Sequence, residues 1–140
     1  MKRWALFFLS WVAIIPFTRA EEDVSARSKA LEVAGAFSND GYKIRDGFWA
    51  GELEPSRPQL LEVNLFGGNE YWFSAAAVPP ARKIAVAVFD EAGKPVDFQT
   101  YDNGNMAAAG FVPNVSGRYF VKLTLLEGEK SQFCLLYSYK

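Results

Sequence analysis

The chain has 140 residues, half of them hydrophobic, with a formal net charge of −1, a single cysteine and no histidine. Without imidazole, Ser-His-Asp and Cys-His catalysis and His-ligated zinc are excluded, and a lone Cys134 excludes an internal disulfide. This length holds one ordinary domain and not two.

Lys2 and Arg3 open the chain, an apolar run broken only by Ser10 fills 4–15, and Pro16 follows. Thr18 and Ala20 then put small residues where a signal peptidase reads them. Residues 1–20 are expected to be a cleaved signal peptide, because the run is short of the roughly 20 residues that cross a bilayer. No cysteine stands directly after the run, which disfavours a lipoprotein. The expected product is periplasmic or secreted, with no membrane insertion after signal cleavage. Losing Lys2, Arg3 and Arg19 takes the 15 basic residues to 12, against 16 acidic ones, so the mature charge is near −4. That balance disfavours nucleic acid and anionic membrane as partners.

Helical spacing of Ala26, Ala30, Val33 and Phe37 predicts a helix over 24–37, with Asp23 or Ser25 as its cap and Gly41 at its end. Residues 21–41 form this helical unit, and 42–140 are expected to be the β domain. The period changes to two after Gly41. A strand is expected over 48–53. Leu61, Val63 and Leu65 alternate, then Gly67-Gly68-Asn69, then Tyr71, Phe73 and Ala75, which reads as a hairpin. Further strands are expected over 84–89, 96–101 and 107–112, with turns at 90–93 and 102–105. Tyr119, Val121, Leu123 and Leu125 mark the clearest strand, and 132–139 is the last. That final strand is apolar on both faces, so it belongs in a covered sheet, and Cys134 on it is expected to be buried and inert. About eight short strands with regular turns predict an antiparallel β-sandwich with one amino-terminal helix.

Three segments carry a resemblance: Leu65-Phe66-Gly67-Gly68-Asn69-Glu70-Tyr71, Val88-Phe89-Asp90-Glu91-Ala92-Gly93, and 111–121 with its F-x-P-x-x-S-G-x-Y-x-V pattern. Together they resemble the bacterial pre-peptidase carboxy-terminal (PPC) domain over roughly 51–139. The resemblance implies a jelly-roll-like all-β sandwich, exported, usually attached to secreted enzymes and not itself catalytic. This chain looks like a stand-alone relative with an added helix. It departs from the family at Lys83-Ile84-Ala85-Val86, where a D-x-D-L pattern is usual. Some relatives bind calcium through oxygen ligands, and with Lys83 and Ala85 in the acidic positions no metal and no cofactor is expected. Asp102, Asn103 and Asn105 read as turn residues.

Neither a Ser-x-x-Lys nor a Gly-x-Ser-x-Gly pattern occurs, and the glycine turns lack the spacing of phosphate loops. Asn114-Val115-Ser116 matches a glycosylation sequon that reads as chance. Glu52 and Glu54, two apart on a strand, are the remaining catalytic candidates, as a carboxylate pair of a small hydrolase. Aromatics suggest more. If Tyr71, Phe73, Tyr119 and Val121 face the core, Trp72 and Phe120 face outward, where they could stack on a sugar or anchor a protein. Trp72 and Phe120 are therefore the candidate ligand-binding residues, the alternative being that the helix or a loop covers them. Tyr119 is expected to be buried and to hydrogen-bond its turn. The leading expectation is a non-catalytic exported binding module for a protein or carbohydrate partner, with a carboxylate-dependent hydrolase and a structural envelope component as alternatives.

Overall fold

The computed structural model describes residues 18–140, so the apolar run of the expected signal peptide lies outside the described residues. The first element is α1 (Arg19–Ser38), capped by Thr18 and not by Asp23 or Ser25. Thr18 Oγ1 accepts from the Glu21 backbone N–H at 3.3 Å, and the Glu21 carboxylate accepts from the Thr18 N–H at 3.4 Å. This reciprocal box, with Glu21 and Glu22 in the first turn, satisfies the free amides and suits the helix dipole, and so draws the start upstream of residue 24. The helix thus runs through the expected cleavage junction at Ala20. At the far end Gly41 takes φ +90°, as the sequence predicts.

Nine strands follow: β1 (Lys43–Ile44), β2 (Trp49–Leu53), β3 (Gln59–Leu65), β4 (Tyr71–Ala77), β5 (Lys83–Phe89), β6 (Gln99–Asn103), β7 (Met106–Phe111), β8 (Gly117–Glu127) and β9 (Ser131–Tyr139). They form two antiparallel sheets, a six-stranded one ordered β1-β9-β4-β7-β6 with β2 also on β9, and a three-stranded one ordered β3-β8-β5. The described residues form an all-β sandwich with one helix. Among the described residues no helix is long and apolar enough to cross a membrane.

The expected β3–β4 hairpin does not form. β3 pairs with β8, Val63 opposite Tyr119, while β4 lies between β7 and β9. Gly67-Gly68-Asn69 instead carries the chain from one sheet to the other. Gly67 N–H donates to Ser116 Oγ at 2.8 Å and Gly68 N–H to the Pro113 carbonyl at 3.0 Å, tying this loop to the β7–β8 loop. A Cβ on Gly67 would stand 2.9 Å from the Asn114 carbonyl oxygen, so only glycine permits the approach. The expected strand at 96–101 is also displaced. β6 begins at Gln99 and runs to Asn103, with its turn at Gly104, because Pro95 and Val96 return to pair beside β5.

Between the sheets, Phe73, Val88, Val121, Leu123 and Leu135 are fully enclosed. β9 sits in the interior of its sheet, and its other face, Cys134 and Leu136, packs under Ala26, Ala30 and Ala34 of α1. Small side chains on the helix let it lie close to the sheet. Burial pushes the Cys134 thiol up from 9.0 to about 11, so it is protonated at neutral pH.

Candidate binding surfaces

Alternation on β8 decides which side chains can meet a ligand. Tyr119, Val121, Leu123 and Leu125 point inward, which leaves Arg118, Phe120, Lys122 and Thr124 on the outer face of the three-stranded sheet. Tyr119 is 9% exposed, and its hydroxyl donates to the Val115 carbonyl at 2.6 Å. Among the described residues no helix lies over this sheet. Phe120 is opposite Phe89 on β5 and Glu62 on β3. With Leu60, 60% exposed, and Pro58 it lines an open groove of about 470 Å³. Charge surrounds the groove. The Lys122 ammonium lies 6.0 Å from the Phe89 ring centre, and Arg118 bridges Glu62 at 3.3 Å and Glu91 at 2.6 Å.

Trp72 faces outward from the other sheet, but α1 reaches it. Its ring stacks on Phe37 with centroids 4.0 Å apart and planes 8° from parallel. Beneath the ring is Gly110 on β7, where a Cβ would come within 2.7 Å of the indole. The helix and Gly110 thus clamp both faces of Trp72, and only its rim lines a groove with Tyr42, Glu70 and Asp97. Burial, and then the Glu70 carboxylate, raise the Tyr42 phenol. The two aromatics singled out by alternation therefore lie on different sheets and form no common site.

Glu52 and Glu54 do share a side, as their spacing predicts, and Lys130 Nζ spans them at 2.9 and 3.5 Å. Arg19 adds a second cation 3.6 Å from Glu52. The Lys130 hydrogen bond foremost holds the Glu52 carboxyl below its ordinary range. A general acid needs the opposite shift. The Asp102–Asn105 region is spent on structure: Asn105 Nδ2 donates to the Ala77 carbonyl at 2.8 Å, and Asn105 O accepts from the Ala77 N–H. Lys83 is exposed, and Ala85 lies half-buried on the outer face opposite Thr124. Among the described residues no three acidic, Cys or His side chains gather as a metal site would require.

A second concavity escaped the strand pattern altogether. Arg45, Asn64, Asn69, Tyr71, Tyr137 and Tyr139 meet on the open side of the sandwich, where edge strand β3 faces the β1–β9 end of the larger sheet. They come from three strands and two loops, so no local spacing announces them.

The chain matches no family model and no curated protein sequence.

Proposed function

We propose that this protein is an exported, non-catalytic binding module, related to the pre-peptidase carboxy-terminal domains, that docks a protein partner through the outer face of its three-stranded sheet. The observation that carries this reading is the apolar centre formed by exposed Leu60 and half-buried Phe89 and Phe120, ringed by charges of both signs. An apolar centre inside a polar rim is the anatomy of a protein interface, and an aromatic at the centre is its usual anchor. The lowered Glu52 and its cationic neighbours support a non-catalytic role over a carboxylate hydrolase.

Crosslinking the tagged protein in its native envelope identifies the partner, and its affinity is then measured with purified proteins. Phe120→Thr should weaken that complex tenfold or more, while Trp72→Phe leaves it unchanged. Equal affinity of wild type and Phe120→Thr would sink the reading.

A further inference from the structure

We infer that the tyrosine-lined groove around Arg45 is a binding site for a carboxylated sugar, a hexuronate unit. The inference is independent of the Phe120 face, since the two sites share no residue.

The first observation is charge. Arg45 makes no ion pair among the described residues, although the mature chain is expected to carry an excess of acids. Its guanidinium carbon lies 5.0 Å from the centre of the Tyr137 ring, a contact that holds the side chain at the groove without using a carboxylate partner. Its backbone is fixed too, with the Arg45 N–H donating to the Tyr137 carbonyl at 3.0 Å. Among the described residues no Asp or Glu lines this groove, whereas Glu70 and Asp97 line the neighbouring one beside Trp72. One guanidinium without a carboxylate counterpart matches one negative charge.

A second observation concerns Tyr71, which is only 3% exposed. Its hydroxyl oxygen accepts from the Phe66 N–H at 2.9 Å and from Asn69 Nδ2 at 3.3 Å. Those two bonds occupy the oxygen's acceptor positions and leave its own proton to donate. The phenols of Tyr137 and Tyr139 and the amide of Asn64 open on the same groove. The Arg45 fork and the Tyr71 proton can only donate, and the other phenols and the amide can either donate or accept, so the groove can present donors to a ligand rich in acceptor oxygens.

Shape selects among carboxylates. The groove holds about 310 Å³, at the small end of ligand pockets and large enough for one sugar ring. Phe66, 67% exposed, and Tyr139 supply aromatic surface at its rim for the C–H face of a pyranose. Arg45 then takes the carboxylate, and the phenols and Asn64 take ring hydroxyls.

The test is titration of the purified full chain with galacturonate and glucuronate, followed by calorimetry and by the side-chain NMR signal of Arg45. Saturable binding that moves the Arg45 signal is expected. Galactose and glucose, lacking the carboxylate, should bind at least tenfold more weakly, and so should N-acetylalanine and inorganic phosphate. Arg45→Met keeps an apolar stem over Tyr137 and should lose tenfold or more of the affinity. Asn64→Ala, at an exposed position, should lose less, and an unchanged circular dichroism spectrum checks the fold of both. No binding of either uronate by the folded wild type overturns the inference. So does equal binding of neutral sugars, of N-acetylalanine or of phosphate, and so does an Arg45→Met variant that binds as wild type.

Discussion

The two sheets of the sandwich share one core and differ in what lies on their outer faces. On the six-stranded sheet that face is Ser74, Ala76, Cys134, Leu136 and Ser138, all buried beneath α1, with Trp72 clamped at the margin. On the three-stranded sheet it is Leu60, Glu62, Arg118, Phe120 and Lys122, open to solvent or half so. The covered face has small side chains because a helix backbone must come close. The bare face has long charged ones, which solvate it and turn away unwanted edge and face contacts. Phe120 and Leu60 interrupt that charged face, and it is there that the proposed partner would dock.

Tyr119 tests the inner side of this comparison and carries the largest expected effect. Its ring lies 5.2 Å from that of Phe111, edge to face, and its hydroxyl holds the turn carbonyl of Val115. Tyr119→Ala should lower the unfolding free energy by about 3–5 kcal/mol, in line with other buried aromatic truncations. Tyr119→Phe, which removes only the hydrogen bond, should lower it by about 0.5–1.5 kcal/mol. Both are read by urea denaturation. A neutral Tyr119→Ala would mean that the inward and outward sets on β8 are exchanged.

Gly110→Ala attacks the covered face from below. The new methyl meets the Trp72 ring at 2.7 Å, and the ring cannot retreat because Phe37 stacks on its other side. A loss of about 1–3 kcal/mol is expected, as for other overpacked sites, with a change in tryptophan fluorescence as the clamp opens. Unchanged fluorescence and stability would show that α1 does not hold Trp72.

Much of this arrangement was legible in the sequence, and the failures have physical causes. Tyr119 could be placed because strict alternation from 119 to 125 fixes a face and the Ser116-Gly117 turn fixes the strand's start. β9 could be placed as a covered strand because it is apolar on both faces. The hairpin at Gly67 could not be refused, because the same glycine turn serves a hairpin or a sheet-to-sheet crossover. Only the distant partners Asn114 and Ser116 decide between them. Thr18 was missed as a cap because its small side chain also fits a peptidase site. Alternation leaves open whether the helix covers Trp72 or Phe120, because the cover over Trp72 depends on Phe37, 35 positions away. The Arg45 groove joins residues from 45 to 139, and nothing in local periodicity records that meeting.

A smaller effect, of opposite sign, is expected beneath the helix. Among the described residues the hydroxyls of Ser74 and Ser138 are buried without a hydrogen-bond partner. Burying an unsatisfied polar group costs about 1–3 kcal/mol. Ser74→Ala should therefore stabilise the protein by about 1 kcal/mol, raising its denaturation midpoint. A destabilised Ser74→Ala variant would mean that this hydroxyl has a partner, and that the helix–sheet layer is wetter than its alanines imply.

Phe120→Thr carries the smallest expected effect on stability and sharpens the contrast most, because Phe120 is the immediate neighbour of Tyr119 on the same strand. Threonine keeps the strand preference of the position, so the change removes the ring and little else. What stability is lost comes from the cross-strand contacts with Phe89 and Glu62, each worth about 0.2–1 kcal/mol. A net loss below about 1 kcal/mol is expected, well under that of Tyr119→Ala one residue earlier. The same variant should sharply weaken partner binding, so that two adjacent aromatics divide cleanly between holding the fold and meeting a partner. If Phe120→Thr instead destabilises the protein as much as Tyr119→Ala, its ring is part of the folded core. The outer face of the three-stranded sheet would then be closed by the protein itself, with no anchor left on it for a partner.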